Sequence, residues 1–200
     1  MEFVSKLRWV IVILIVLVVL SVAGWGLATL ARNLISSGDS TAKVQADPKS
    51  LTTQSATNAS VVRYTEIGPV VASGEHRSYT IEVSRNVVMM RVYSDYGQKV
   101  VSEKSYKNDE RAFEYFVEAL DKQRVAARIK GTTESDDYDE VGACPAGRVH
   151  IVEIDDKVRR WTTSCNNVKG TAAGNIPAIR QLFSGQIPDF KELIKGTDLI

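Results

Sequence analysis

Residues 78–105, SYTIEVSRNVVMMRVYSDYGQKVVSEKS, decide the fold. Ser78 to Ser84 alternates, with Tyr79, Ile81 and Val83 on one side, the period-2 pattern of a half-buried strand. Val87 to Tyr93 is a second run, more apolar on both sides. Ser94-Asp95-Tyr96-Gly97-Gln98 then reads as a turn into a third strand, Lys99 to Ser105. Three strands joined by short turns predict an antiparallel meander.

Downstream, the period changes from two to helical. Asn108 is the expected cap, with Asp109 and Glu110 in the first turn where the helix dipole favours acids. Ala112, Phe113, Phe116, Val117 and Leu120 recur at helical spacing and define the stripe to be buried. Lys122 and Arg124 close the helix with the opposite charge. Val125 to Lys130 is a further candidate strand. Val149 to Ile154 and Val158 to Ser164, separated by Asp155-Asp156-Lys157, form an expected hairpin. Pro177 opens a short helix running to Gly185, and Pro188 opens another, with Phe190, Leu193 and Ile194 on one side and Gly196 as its stop. The order β-β-β-α-(β)-β-β-α-α describes an α+β domain, with helices on one face of a mainly antiparallel sheet.

Upstream of this domain the chain is of another kind. Trp9 to Ala31 carries no charge over twenty-three residues, long enough to cross a hydrocarbon layer of roughly 30 Å as one helix. Lys6 and Arg8 before it, against Arg32 and then Lys43 after it, favour a cytoplasmic N-terminus (residues 1–8) by the positive-inside rule. A cleaved signal peptide ending at Ser21-Val22-Ala23 is the competing reading, but Gly24 to Ala31 continues apolar past that point. Gly24 and Ala28 make one small-xxx-small pair of the kind that lets membrane helices approach, a spacing common by chance. Residues 32–60 are the expected tether. Within 36–60, ten of twenty-five residues are Ser or Thr and none is aromatic, too little apolar surface to offset ordering entropy. A flexible segment of that length reaches about 25–30 Å. Asn58-Ala59-Ser60 is a glycosylation sequon.

Residues 61–200 then form one extracytoplasmic domain with room for a sizeable core. It holds 20 Lys and Arg against 21 Asp and Glu, so its charge balance implies neither nucleic acid nor an anionic lipid surface as partner.

Cys144 and Cys165 are the only cysteines, and an exported domain permits disulfides. With Ile154 and Lys157 flanking a two-residue turn, the register brings both cysteines to the open end of the hairpin, so a structural disulfide is expected. Zinc would need further ligands, and His76 and His150 are the only histidines, without CxxC-type spacing. Cys165, at the end of a strand, with His76 far upstream, is the alternative catalytic pair. Membrane-anchored sortase transpeptidases also use a strand-end Cys with a distant His and Arg. Their Leu-x-Thr-Cys pattern is absent here, and a cysteine able to pair with Cys165 would quench that nucleophile.

Glu134, Asp136, Asp137, Asp139 and Glu140 crowd one loop but lack the Asp-x-Asp-x-Asp-Gly order of a calcium loop, so a solvated acidic loop is expected. Arg159-Arg160 reads as an exposed strand face, His150 as a structural residue, and Tyr138, Trp161, Phe183 and Phe190 as core. No Gly-x-Ser-x-Gly, Gly-rich phosphate loop or His-Glu-x-x-His occurs, so no cofactor is implied.

Cys144-Pro145-Ala146-Gly147, Trp161-Thr162-Thr163-Ser164-Cys165 and Leu182-Phe183-Ser184-Gly185-Gln186-Ile187-Pro188-Asp189-Phe190 resemble segments of uncharacterised single-pass anchored proteins of candidate-phylum bacteria of the Saccharibacteria type. Their layout is similar too: anchor, polar linker, domain of this length. The likeness covers residues 77–200 and the anchor. It implies a bacterial envelope and a shared fold, not a reaction, and makes the Asn58 sequon less relevant. The expected function is a membrane-anchored extracytoplasmic binding module, engaging an envelope protein or cell-wall component. The alternatives are a thiol enzyme and a structural subunit of a membrane assembly.

Overall fold

The computed structural model describes residues 58–197 and Leu199. The Trp9–Ala31 segment and the tether up to residue 57 lie outside them. Among the described residues no helix is long and apolar enough to cross a membrane.

Six antiparallel strands form one sheet: β1 (Val61–Ile67), β2 (Arg77–Ser84), β3 (Val87–Ser94), β4 (Lys99–Lys107), β5 (Val149–Ile154) and β6 (Val158–Thr163). Their order across the sheet is β4-β3-β2-β1-β5-β6. The expected meander is β2-β3-β4. A strand absent from the sequence reading, β1, sits at the centre of the sheet and joins the meander to the β5-β6 hairpin. Its inward positions are Val62, Tyr64 and Glu66, and a carboxylate at the third hides the apolar alternation. The last three residues assigned to the tether belong to the domain. Ala59 is buried in the core, while the Ser60 amide and hydroxyl donate to Asp155 Oδ1 at 3.0 and 2.7 Å.

One face of the sheet carries the main core. Helix α1 (Glu110–Lys122) presents Phe113, Phe116, Val117 and Leu120 to it. Ala112 faces solvent, and the cap is Asp109, whose side chain accepts from the Ala112 amide, rather than Asn108. Helix α2 (Ile176–Ser184) adds Ile179 and Phe183. The Phe183 ring lies 5.4 Å from Tyr64 and edge-on to Phe116 at 5.0 Å, so one side chain joins both helices to β1. The second C-terminal helix, α3 (Phe190–Leu193), is a single turn. Val125 to Lys130 is not a strand; only Arg128 makes an isolated bridge, to Ala172.

The opposite face holds a smaller cluster, Cys144, Val149, Ile151 and Trp161. The hairpin turn has three residues, since Ile154 pairs with Val158, and Val149 with Thr163. That one-residue difference still leaves the cysteines adjacent: Cys144 and Cys165 are bonded, with Cα atoms 5.7 Å apart. Gly147 is packed against this bond so closely that an added Cβ would collide with Cys144 Sγ and Ser164 Oγ.

The acidic loop is only partly solvated: Glu134 and Asp139 are exposed, but Asp137 is not. Residues 134–140 wrap the outer edge of β6. Asp137 is buried, accepts from Arg128 Nη2 at 2.5 Å and from Arg160 Nη1 at 3.0 Å, and Glu140 pairs with Arg159 at 2.6 Å. Arg159 and Arg160 are therefore paired and largely covered rather than an exposed face. Of the four aromatics assigned to the core, Tyr138 is 68% exposed and instead lies under the Arg159 guanidinium.

Replacing both cysteines by serine should cost about 3 kcal/mol, the chain-entropy value for a loop of this length. Urea unfolding of the full chain with and without the substitutions measures it. An unchanged midpoint would mean the bond contributes nothing to the fold.

Candidate functional site

Two polar constellations distinguish the faces of the sheet. The first is sealed in the main core. Glu66, on β1, is fully buried. Its Oε2 accepts from Arg180 Nε at 2.6 Å, the Tyr79 hydroxyl at 2.7 Å and the Tyr64 hydroxyl at 3.2 Å. Arg148 Nε stands 3.6 Å from Oε1. The Tyr64 oxygen also lies 2.8 Å from His150 Nδ1. A phenol has one proton, so when it goes to Glu66 the imidazole Nδ1–H donates to Tyr64. Arg180 Nη2 further donates to the Leu199 carbonyl at 2.9 Å, which ties the chain's end to this cluster.

Burial pushes both phenols above their ordinary range, helped at Tyr64 by Tyr79 and then Glu66 and at Tyr79 by Glu66. Burial opposes the Arg180 charge, but the hydrogen bond to Glu66 and the neighbouring Glu66, Tyr79 and Tyr64 together outweigh it and raise its pKa. The cluster thus joins the Arg180–Glu66 salt bridge to two neutral phenols. It resembles acid–base machinery in composition, yet its carboxylate has no exposed surface from which to reach a substrate.

The second constellation lies on the other face, at the end of the sheet where β1 stops and β2 and β5 begin. It is a groove of about 560 Å³. Its floor is supplied by the outward positions of four strands: Tyr93 of β3, Ser78 and Thr80 of β2, Thr65 and Ile67 of β1, and Val149 of β5. Three loops wall it: 68–76, the 3-10 turn Asp95–Gly97, and 140–144. Loops carried on a rigid sheet are where binding residues concentrate.

These walls are tied together at residues 70–73. The Val70 amide donates to the Pro145 carbonyl at 2.8 Å, joining the first loop to the disulfide loop. The Val71 amide donates to the Tyr96 hydroxyl at 3.1 Å, which donates back to the Val71 carbonyl at 2.6 Å. Ser73 Oγ donates to Asp95 Oδ1 at 3.1 Å. Asp95 (φ 53°) and Tyr96 (φ 56°) are both in the left-handed region without being glycine, so the rim stores backbone strain.

His76 closes the back of the groove. Its ring stacks on Tyr96 with centroids 3.9 Å apart, and the residue is only 2% exposed; its polar neighbour, the Gly68 backbone, is not placed for a well-formed hydrogen bond. Burial, and then the adjacent Arg77 charge, lower its pKa. Around the mouth stand apolar side chains, Val70 (59% exposed), Tyr96 (46%) and Val141 (91%). Beyond the groove the same face is charged but compensated: Arg63 bridges Glu82 and Glu153, and Arg91 pairs with Glu103.

His76, the alternative base for Cys165, is in the groove wall, while Cys165 is bonded to Cys144 as expected and has no thiol while that bond stands. Cys144 contributes the second half of that disulfide to the groove lining. His150 belongs to the Glu66 cluster. Among the described residues no group of three His, Cys, Asp or Glu is placed to hold a metal ion. The groove itself had no sequence signal beyond outward Thr and Ser positions, because its walls come from three separate loops. No known protein family, curated protein or solved structure matches this chain.

Two outcomes follow. Arg180→Ala leaves the Glu66 charge buried beside phenols alone and one distant arginine, and should cost about 3–5 kcal/mol in urea unfolding. Glu66→Gln, which removes the charge itself, should cost less; equal costs would show that charge pairing does not govern the cluster. His76 and His150 both have lowered pKa values, so the unfolded chain binds protons more readily than the fold. Their penalty is absent well above the unfolded value of about 6.5 and grows as pH falls below it. Unfolding free energy should decline on acidification through that window, and His76→Phe should flatten the decline.

Proposed function

We propose that the chain is a membrane-anchored, extracytoplasmic binding module of a bacterial envelope whose ligand site is the groove. The observation that carries this reading is the groove, a concave site whose apolar lips and floor hydroxyls are set on one sheet. The chain enters β1 at Val61, and the strand runs seven residues from there to the groove floor at Ile67, about 20 Å at strand spacing.

Three features support this reading. The apolar Trp9–Ala31 segment is long enough to anchor the chain. The stretch behind it is polar, with ten Ser or Thr among residues 36–60. The disulfide fits an oxidising compartment and holds one groove wall in place. A concave site with apolar lips and a few convergent hydroxyls is suited to binding. The likeness to anchored proteins of Saccharibacteria-type bacteria points to the same compartment.

The reading is checked by producing the full chain with a C-terminal epitope in a bacterial host. The chain should stay in the membrane after alkaline carbonate washing, and protease added to spheroplasts should remove the epitope. An epitope protected from protease, or a chain released by carbonate, would overturn it.

A further inference from the structure

With the groove as the ligand site, as proposed above, we infer that its ligand is an extended, uncharged peptide segment carrying apolar side chains, laid across strands β3, β2, β1 and β5. The lining excludes most charged ligands. Glu140 is its one carboxylate and is closed by two hydrogen bonds from Arg159, at 2.6 and 3.1 Å. The arginines beyond the floor are equally engaged, Arg63 by Glu82 and Glu153 and Arg91 by Glu103. A charged ligand would find no free counter-charge and would lose its hydration without compensation.

Shape and floor chemistry narrow the class further. The trough crosses four strands, about 14 Å at the inter-strand spacing, which accommodates about four residues of extended peptide. Its floor offers hydroxyls from Ser78 and Tyr93, and from Thr65 and Thr80, which bond each other at 3.0 Å and keep one proton between them to donate. An acyl chain would cover that row and leave the donors not used in the Thr65–Thr80 bond unsatisfied. A neutral glycan would meet hydroxyls below but only the aliphatic Val70 and Val141 at the lips, with no planar amide, free carboxylate or free guanidinium to hold it. A peptide uses both surfaces: its amides face the hydroxyl row and its apolar side chains pack between Val70, Tyr96 and Val141.

The back wall points the same way. His76 keeps two buried nitrogens without a well-formed hydrogen bond beside a turn strained at Asp95 and Tyr96. Unsatisfied polar groups and left-handed backbone together mark a surface that gains by acquiring a partner.

Titration calorimetry of the full chain in detergent micelles tests this with three probes: acetyl-Ala-Val-Ala-Val-Ala-amide, the same peptide with Lys for Val, and chitotetraose. The valine peptide should bind saturably, and the lysine peptide at least tenfold more weakly. Val141→Glu should weaken the valine peptide at least tenfold. Val141 is 91% exposed, so this change leaves the urea midpoint in place. Val101→Glu, on the exposed β4 edge and outside the groove lining, should leave affinity unchanged. Equal binding of both peptides, or valine-peptide binding indifferent to Val141→Glu, overturns the inference. Chitotetraose binding that Val141→Glu abolishes, with neither peptide bound, overturns the peptide class but leaves the groove as the ligand site. Absence of binding by all three probes overturns the peptide class as well, and protease shaving still decides the envelope placement separately.

Discussion

The Glu66 carboxylate is the constraint around which the domain is arranged. A fully buried charge on a central strand is tolerable only if several partners converge on it. Tyr64 comes from the same strand, Tyr79 from β2, Arg148 and His150 from the start of β5, and Arg180 from α2. Satisfying one side chain therefore fixes where three strands meet and where α2 lies across them. Apolar packing is non-directional, so the Arg180–Glu66 bond rather than Phe183 and Ile179 sets where α2 lies. A one-residue slip of β1 would turn Glu66 to the opposite face and bring Thr65 and Ile67 into the core. That slip would strand Arg180 and Tyr79 and carry Tyr64 out of the core with Glu66.

The same alternation divides labour between the faces. Along β1, Val62, Tyr64 and Glu66 build the core, while Arg63, Thr65 and Ile67 lie on the other side. Arg63 enters the ion-pair ladder and Thr65 and Ile67 the groove floor. The groove thus rests on a layer pinned from beneath by a charge network. Its walls are loops, but they are not independent: Val70, Val71 and Ser73 fasten the first loop to the other two, and the disulfide fixes the third to the end of β6. Rigid floor and cross-tied walls suit a preformed site.

Much of this architecture was legible in the residues. The meander, α1, the β5-β6 hairpin and the Cys144–Cys165 bond each follow from a local period or a short register argument. What escaped reading depends on partners distant in sequence. Strand β1 was hidden because Glu66 occupies an inward position, and only Arg180, far along the chain, makes that acceptable. The loop at 134–140 read as solvated because its carboxylates outnumber its neighbours' cations locally; Arg128, Arg159 and Arg160 reach it from other elements. Arg159 and Arg160 were misread for the complementary reason. The groove was invisible because no single segment contains it.

The central position of β1 also imposes an order in time. Its β2 partner follows within a few residues, whereas Ile67 waits for Val149 and Val62 for Ile154, more than eighty residues later. At roughly 5–20 residues added per second, the far edge of β1 stays unpaired for roughly 4–17 seconds of synthesis. An open strand edge is a template for a neighbouring chain. Arg63, third of its seven residues, is one of two charges on the strand that discourage such pairing, and Glu153 arrives later to claim it. The nascent domain is in a race between completing its own sheet and joining another's.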